Sequence, residues 1–182
     1  MQAGDFEKCS PEQTESLLAL EKQAALKIVE IKSDLLVRAS QISDRSKKSQ
    51  KLILGWVKNA NEVLDCVATK LGTTTYICGD EKGLVCSRAY AGLSPAGLPF
   101  FLARKVEFCG DHFWELNNTE RLSTLVHELS HKCGTTDNLS FRRFGEGNPP
   151  YNGSLSDWPQ IADSYGYFVR EGVCLPYVDC KY

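Results

Sequence analysis

The chain has 182 residues, with 21 Lys and Arg against 23 Asp and Glu and a formal net charge of −2. This balance leaves no basic surface for nucleic acid, and no apolar run approaches the roughly 20 residues that a bilayer-spanning helix needs. We therefore expect neither a nucleic-acid partner nor membrane association. The length suits a single domain over 1–182 with a sizeable core, and we expect a monomer.

Eight cysteines, at positions 9, 66, 78, 86, 109, 133, 174 and 180, are a generous and even number for this length. None belongs to a C-x-x-C pair, so a zinc site built from thiolates is not expected. This usage favours an oxidising compartment and up to four disulfides, with buried free thiols in a cytosolic protein as the alternative. The first five residues are neither basic nor apolar. We therefore expect that, if the protein is exported, its signal peptide has been removed.

Two long amphipathic helices are predicted in the N-terminal part of the chain. The sequence Ser-Pro-Glu-Gln that begins at Ser10 is typical of a helix start, with the serine as N-cap. Apolar residues then recur every three or four positions, which predicts a helix over about 11–44. A second helix is predicted over about 50–71, ended by Gly72. Together they make a helical hairpin; a coiled-coil strand offered to a partner is the alternative for the first helix.

Short strands are predicted after these helices. Segments 73–78, 84–90 and 104–109 are rich in β-branched and aromatic residues, and glycines bound the turn between the first two. A last helix is predicted over 157–172, with an aspartate as cap. The chain is therefore expected to have an α+β fold that is predominantly helical, with a small β-sheet.

His127, Glu128 and His131 form an H-E-x-x-H motif on a further predicted helix. Asn117 and Glu120 supply an N-cap and a capping box for that helix. Histidines four residues apart lie one turn apart on nearly the same face, so both imidazoles can bind one metal ion. Imidazole suits Zn²⁺, and Glu128 can reach a metal-bound water without being a ligand. A chance match on a helix without metal is the alternative interpretation.

A catalytic zinc site has three protein ligands and an open position, so a third ligand is expected nearby. Gly134 can adopt the left-handed conformation that ends a helix and turns the chain back. Asp137 lies six residues after His131, where enzymes with the longer H-E-x-x-H-x-x-G-x-x-H pattern place their third ligand. We therefore predict one Zn²⁺ bound by His127, His131 and Asp137. His112, outside the motif, is expected to be a structural or surface residue.

These residues resemble the aspzincins, the deuterolysin and peptidyl-Lys metalloendopeptidase family of secreted zinc proteases. The resemblance rests on H-E-L-S-H at 127–131, on G-T-T-D at 134–137 and on A-D-S-Y at 162–165. The sequence K-V-E-F-C-G-D-H-F at 105–113 is similar to the strand and cysteine that lead into the family's zinc helix. The resemblance implies a zincin-like metalloprotease domain.

The implied domain has a helical N-terminal half over about 10–72 and a catalytic half over about 73–182. The leading hypothesis is a secreted zinc metalloendopeptidase that hydrolyses a protein or peptide substrate, with Glu128 as general base. One alternative is a zinc-binding relative with weak or no catalytic activity that acts by binding metal or a partner. Another is a protease effector with a narrow target.

Two departures from the family pattern affect the predicted site. The family has two residues between its G-T and the ligand aspartate, and this chain has one. A strict alignment therefore puts Asn138 at the ligand position, whereas metal chemistry favours Asp137. The family's transition-state tyrosine, three residues after the aspartate, is replaced here by Ser140. The candidates for its role are Tyr151, Tyr165 and Tyr167.

Asp163 matches an aspartate that lines the S1′ pocket of lysine-specific family members. A second acid lines that pocket where this chain has Gly166. The resemblance therefore implies substrate binding by Asp163 and the nearby Tyr165. It also implies a preference for a basic P1′ residue, which a single carboxylate makes weaker. Asp163 has two other interpretations: it can accept a hydrogen bond from a ligand histidine, or act as an alternative third ligand.

Overall fold

The computed structural model describes residues 5–43, 45–79, 91–94, 105–136 and 158–175. In chain order they form β1 (Phe6–Glu7), α1 (Pro11–Ser40), α2 (Lys47–Lys70), β2 (Tyr76–Gly79), β3 (Ala91–Ser94), β4 (Lys105–Cys109), α3 (Gly110–Glu115), α4 (Asn118–His131) and α5 (Ala162–Glu171). A 3-10 turn at Trp158–Gln160 precedes α5. The prediction of a mostly helical α+β fold with a small sheet is confirmed.

Helices α1 and α2 pack against each other through their apolar faces. Ser10 caps α1: its hydroxyl accepts from the backbone N–H of Gln13 at 3.2 Å, and the Gln13 side chain accepts from the Ser10 N–H at 2.8 Å. Lys32 of α1 pairs with Asp65 of α2 across the hairpin. The helix has one wholly buried stripe, which includes Leu17, Leu20, Ala24, Ile28, Ile31 and Leu35. This stripe, rather than helix propensity alone, stabilises so long a helix.

Both helix ends at the hairpin turn differ from the prediction. Helix α1 ends at Ser40 rather than near 44, and α2 begins at Lys47 rather than near 50. The second shift has a local cause, because the hydroxyl of Ser46 accepts from the N–H of Ser49 and so caps α2 earlier. Gly72, with φ of +72°, follows α2 as expected.

A buried carboxylate fastens α1 to the start of the sheet. Glu21 is 7% exposed, and its Oε1 accepts from the N–H of Gly72 and from the hydroxyl of Tyr76, both at 2.7 Å. Burial and the adjacent carboxylate both disfavour the phenolate, so the pKa of Tyr76 is raised. These bonds offset the cost of burying an acid, and they set β2 directly against the hairpin.

Among the described residues the strands form one sheet in the order β1-β2-β4-β3. Strands β1 and β4 both run parallel to β2, and β3 runs antiparallel to β4. The two-residue β1 is too short for a pattern to predict, and the predicted strand over 84–90 lies outside the described residues. Strand β3 stands at the sheet edge and contacts α4.

The predicted helix over 157–172 is wrong at its start. The 3-10 turn is followed by an extended residue, Ile161, and α5 begins only at Ala162. The interruption comes from a parallel bridge between Ile161 and Thr136. Thr136 donates its N–H to the carbonyl of Gln160 at 2.8 Å and accepts from the N–H of Ala162 at 3.1 Å. A contact between distant segments therefore overrides the local helix signal.

One hydrophobic core contains side chains from the hairpin, the sheet, α4 and α5. Its centre is aromatic: the rings of Phe108 and Phe113 stack with centroids 4.2 Å apart, and Tyr76 stacks on Phe108 at 5.8 Å. Phe113 lies on α3, a short helix that the sequence did not predict. None of the described helices is long and apolar enough to cross a membrane.

Disulfides join the two halves of the chain, and the described cysteines are all oxidised. Cys9 is bonded to Cys78, which ties the segment before α1 to β2. Cys66 is bonded to Cys133, which ties α2 to the turn that follows α4. Cys109 and Cys174 are also disulfide-bonded. The expectation of disulfide bonds is therefore confirmed for the described cysteines.

Candidate metal centre

Helix α4 presents the H-E-x-x-H motif from a firmly anchored position. Asn117 caps the helix by accepting from the N–H of Glu120 at 3.0 Å, and the Glu120 side chain accepts from the Asn117 N–H at 3.2 Å. The face opposite solvent is buried through Leu122, Leu125, Val126 and Leu129. These contacts with the core fix the rotation of α4, so the directions of the two histidines are fixed as well.

The imidazoles of His127 and His131 converge at one point. Their Nε2 atoms lie 3.2 Å apart, and the rings are nearly perpendicular, with an interplanar angle of 88°. Two ligand atoms about 2.0–2.1 Å from a tetrahedral zinc lie roughly 3.3 Å apart. The spacing of the two nitrogens therefore fits adjacent corners of a zinc coordination sphere.

The backbone after α4 sets the tautomer of His131. Its Nδ1 lies 3.0 Å from the carbonyl oxygen of Thr135, which can only accept a hydrogen bond. The Nδ1 of His131 must therefore carry the proton, and its Nε2 carries the lone pair. This role of Thr135 could not be predicted from the sequence, because a backbone acceptor leaves no signal in the residue type.

A carboxylate lies beside the Nδ1 atom of His127. This Nδ1 is 3.4 Å from Oδ1 of Asp163 at the start of α5, and each side chain is 20% exposed. The separation is that of an ion pair and is slightly longer than a normal hydrogen bond. Each imidazole thus has an oxygen atom beside its Nδ1, while the two Nε2 atoms face each other at 3.2 Å. A cation bound by both Nε2 atoms fits this arrangement.

The turn after α4 brings the chain back towards the histidines. Gly134 has φ of +91°, the left-handed conformation that the sequence predicted. The hydroxyls of Ser130 and Thr135 lie 2.8 Å apart in a buried hydrogen bond that closes the turn. The bridge from Thr136 to Ile161 then holds the chain beside the start of α5. Asp137, the next residue, lies outside the described residues.

Glu128 occupies a different position from the two histidines. Its side chain is largely buried, and Oε1 lies 3.9 Å from Nε2 of His127. This separation exceeds hydrogen-bonding distance and leaves the carboxylate beside the convergence point rather than bonded to the ring. The geometry suits a base that acts on a molecule bound between the histidines.

The predicted tyrosines lie in different surroundings. Tyr165 is fully buried, and its hydroxyl donates to the carbonyl of Pro159 at 2.7 Å, so no surface of its ring is left for a substrate. Burial raises its pKa. Tyr167 is half-buried, one helical turn after Asp163 and on nearly the same face. Tyr151 lies outside the described residues.

Among the other polar residues, His112 and Lys132 differ in their exposure to solvent. His112 is exposed on α3, as expected for a surface residue. The pKa of Lys132 is lowered by burial and by the charge of Lys70. Over 5–43, 45–79, 91–94, 105–136 and 158–175, no three His, Cys, Asp or Glu side chains are grouped to hold a metal. Of the three predicted ligands, the described part includes His127 and His131.

Comparisons with known proteins add information about the fold. No protein-family model matches this chain, and no curated protein is similar to it in sequence. Among solved structures, the chain is similar to a zinc peptidase from Grifola frondosa, with a TM-score of 0.61. The two share 19% sequence identity over 89% of this chain and 96% of that chain. At this identity the likeness shows that the two chains share a fold.

Proposed function

We propose that this chain is a secreted zinc-dependent endopeptidase. The observation that carries the proposal is the convergence of the Nε2 atoms of His127 and His131 beside the carboxylate of Glu128. Each histidine has an acceptor at Nδ1, which is the arrangement found around metal-binding imidazoles. The fold shared with a zinc peptidase and the disulfides of the described cysteines support the proposal.

In this proposal His127, His131 and Asp137 hold one zinc ion. Zinc in such a site polarises a carbonyl and lowers the pKa of bound water towards neutrality. Glu128 would act as the general base, accepting a proton from the attacking water and passing it to the amine that leaves when the peptide bond breaks. Its burial keeps the carboxylate close to the reacting water and away from solvent counterions. The chain therefore supplies both the ligands and the base.

The substrate in this proposal is an extended peptide. In the described part of the sheet β3 is an edge strand, and it contacts α4, so in this proposal a peptide adds beside β3 as a further strand. Tyr167, on the same face of α5 as Asp163, is our candidate for a hydrogen-bond donor to the oxyanion. Its pKa is raised, chiefly by burial, so the phenol stays protonated at neutral pH. The preference for a basic P1′ residue that the family resemblance implied is untested.

Metal removal tests the proposal. We expect the zinc-loaded protein to cleave an unstructured protein such as casein, and a peptide library, at internal bonds. Dialysis against a chelator should abolish cleavage, because the bound water loses its activation, and added zinc should restore it. Mass spectrometry of the products gives the cleaved bonds. Cleavage that persists in metal-free protein would show that another mechanism operates.

A zinc-binding relative without protease activity is the second candidate. It is favoured by Ser140, which stands where the family pattern has a tyrosine, and by the burial of Tyr165. The same experiment separates the two functions, because the relative binds zinc but leaves casein and the library intact. A narrow-target protease would also leave them intact, yet would cut one partner protein at a defined bond.

A further inference from the structure

The first turn of α5 holds both segments that lead to the predicted metal ligands. Asp163, in that turn, faces His127 across 3.4 Å. One residue earlier, the N–H of Ala162 donates to the carbonyl of Thr136, the residue before Asp137. A displacement of this turn would therefore move the α4 histidine and the chain at Thr136 together.

Helix α5 packs closely on α4 at the level of His127, where the glycine at position 166 has no side chain. The hydroxyl of Ser123 donates to the carbonyl of Gly166 at 2.9 Å. A Cβ atom placed on Gly166 would lie 3.0 Å from Ser123 Oγ and 3.5 Å from the Cβ of His127. Position 166 is thus occupied by the helix–helix contact, and no second acid stands beside Asp163 there.

Two features of the surroundings of Asp163 suit a negative charge. It lies in the first turn of α5, where the helix dipole favours negative charge. It also faces the ring nitrogen of His127, which becomes more positive when the opposite nitrogen binds a cation. A carboxylate that is engaged with His127 is less able to receive a cationic substrate side chain.

We infer that Asp163 is a positioning residue for His127, and that it does not act as a receptor for a basic P1′ side chain. The inference rests on the proposed zinc site. In this inference the carboxylate of Asp163 accepts the Nδ1–H of His127. That hydrogen bond fixes the ring orientation, directs the Nε2 lone pair at the metal position and increases the basicity of Nε2. The substrates it implies are peptides without a selected Lys or Arg at P1′.

Zinc affinity of Asp163 variants tests the inference. In chelator competition, Asp163→Ala should bind zinc roughly 10–100-fold more weakly than wild type, the range for losing such a partner. Asp163→Asn, whose amide oxygen can accept the same hydrogen bond, should lose less. Glu171→Gln removes an exposed carboxylate from the same helix and should leave the affinity unchanged.

A second readout uses the wild type as well as the variant. Imidazole nitrogen NMR shifts of the zinc-free wild type should show His127 as the Nδ1–H tautomer, and Asp163→Ala should show a mixture. An Nε2–H tautomer in the wild type overturns the inference. So does Asp163→Ala that binds zinc like wild type but loses cleavage before Lys and Arg. A wild type that binds no zinc would instead refute the proposed function itself.

Discussion

Replacing Glu128 with glutamine is expected to lower kcat for peptide cleavage by roughly 10²–10⁴-fold, the contribution of a positioned general base. Glutamine has nearly the same shape as glutamate, but its amide cannot accept a proton from water. The zinc content should not change, because Glu128 stands 3.9 Å from the His127 nitrogen and is not part of the converging pair. Steady-state kinetics and metal analysis on the same preparation give both values.

Glu115→Gln is the matched control for this variant. Glu115 is an exposed glutamate at the end of α3, and its replacement removes the same charge outside the site. We expect wild-type kcat and zinc content for this control. Full turnover by Glu128→Gln would remove Glu128 from the mechanism, even if the protein binds zinc.

Removal of the Cys66–Cys133 disulfide is expected to reduce both stability and zinc affinity. The bond closes a loop of 67 residues, for which chain entropy predicts a loss of about 4 kcal/mol in the free energy of unfolding. It also anchors the turn whose Thr135 carbonyl orients His131. A loosened turn should weaken zinc binding by roughly 10–100-fold, as other losses of ligand support do. Urea unfolding and chelator competition on Cys66→Ala/Cys133→Ala measure the two effects.

The second disulfide provides an unusually close control. Cys9–Cys78 spans 69 residues, so its removal should reduce the unfolding free energy by a similar amount, about 4 kcal/mol. It joins β2 to the segment before α1, rather than α2 to the turn after α4. Cys9→Ala/Cys78→Ala should therefore keep the zinc affinity of wild type. Equal loss of affinity in both double variants would show that stability alone, and not the turn, governs metal binding.

Local signals in the sequence predicted those parts of the fold that depend on neighbouring residues. The capping boxes at Ser10 and Asn117 fix two helix starts, and a four-residue spacing puts two histidines on one face of α4. Gly134 indicates the left-handed turn, because glycine adopts a positive φ without strain. Each of these features is complete within a few consecutive residues.

Features that depend on distant segments could not be predicted in this way. The break at Ile161 exists because Thr136, far away in sequence, pairs with it. Asp163 had three interpretations in the sequence, and only the packing of α5 on α4 brings it to His127. The burial of Tyr165, by contrast, has a local signal. Tyr165 shares the apolar face of Ile161, Phe168 and Val169, and this helical pattern favours burial over substrate contact.

The ligand set of the bound metal tests the central claim most directly. X-ray absorption at the zinc edge of zinc-loaded protein should show four nitrogen or oxygen ligands at about 2.0–2.1 Å, with the scattering pattern of two imidazoles. His127→Ala and His131→Ala should each lose one imidazole contribution or the metal itself. Sulfur scattering, or an unchanged spectrum in both histidine variants, would contradict a zinc site between His127 and His131.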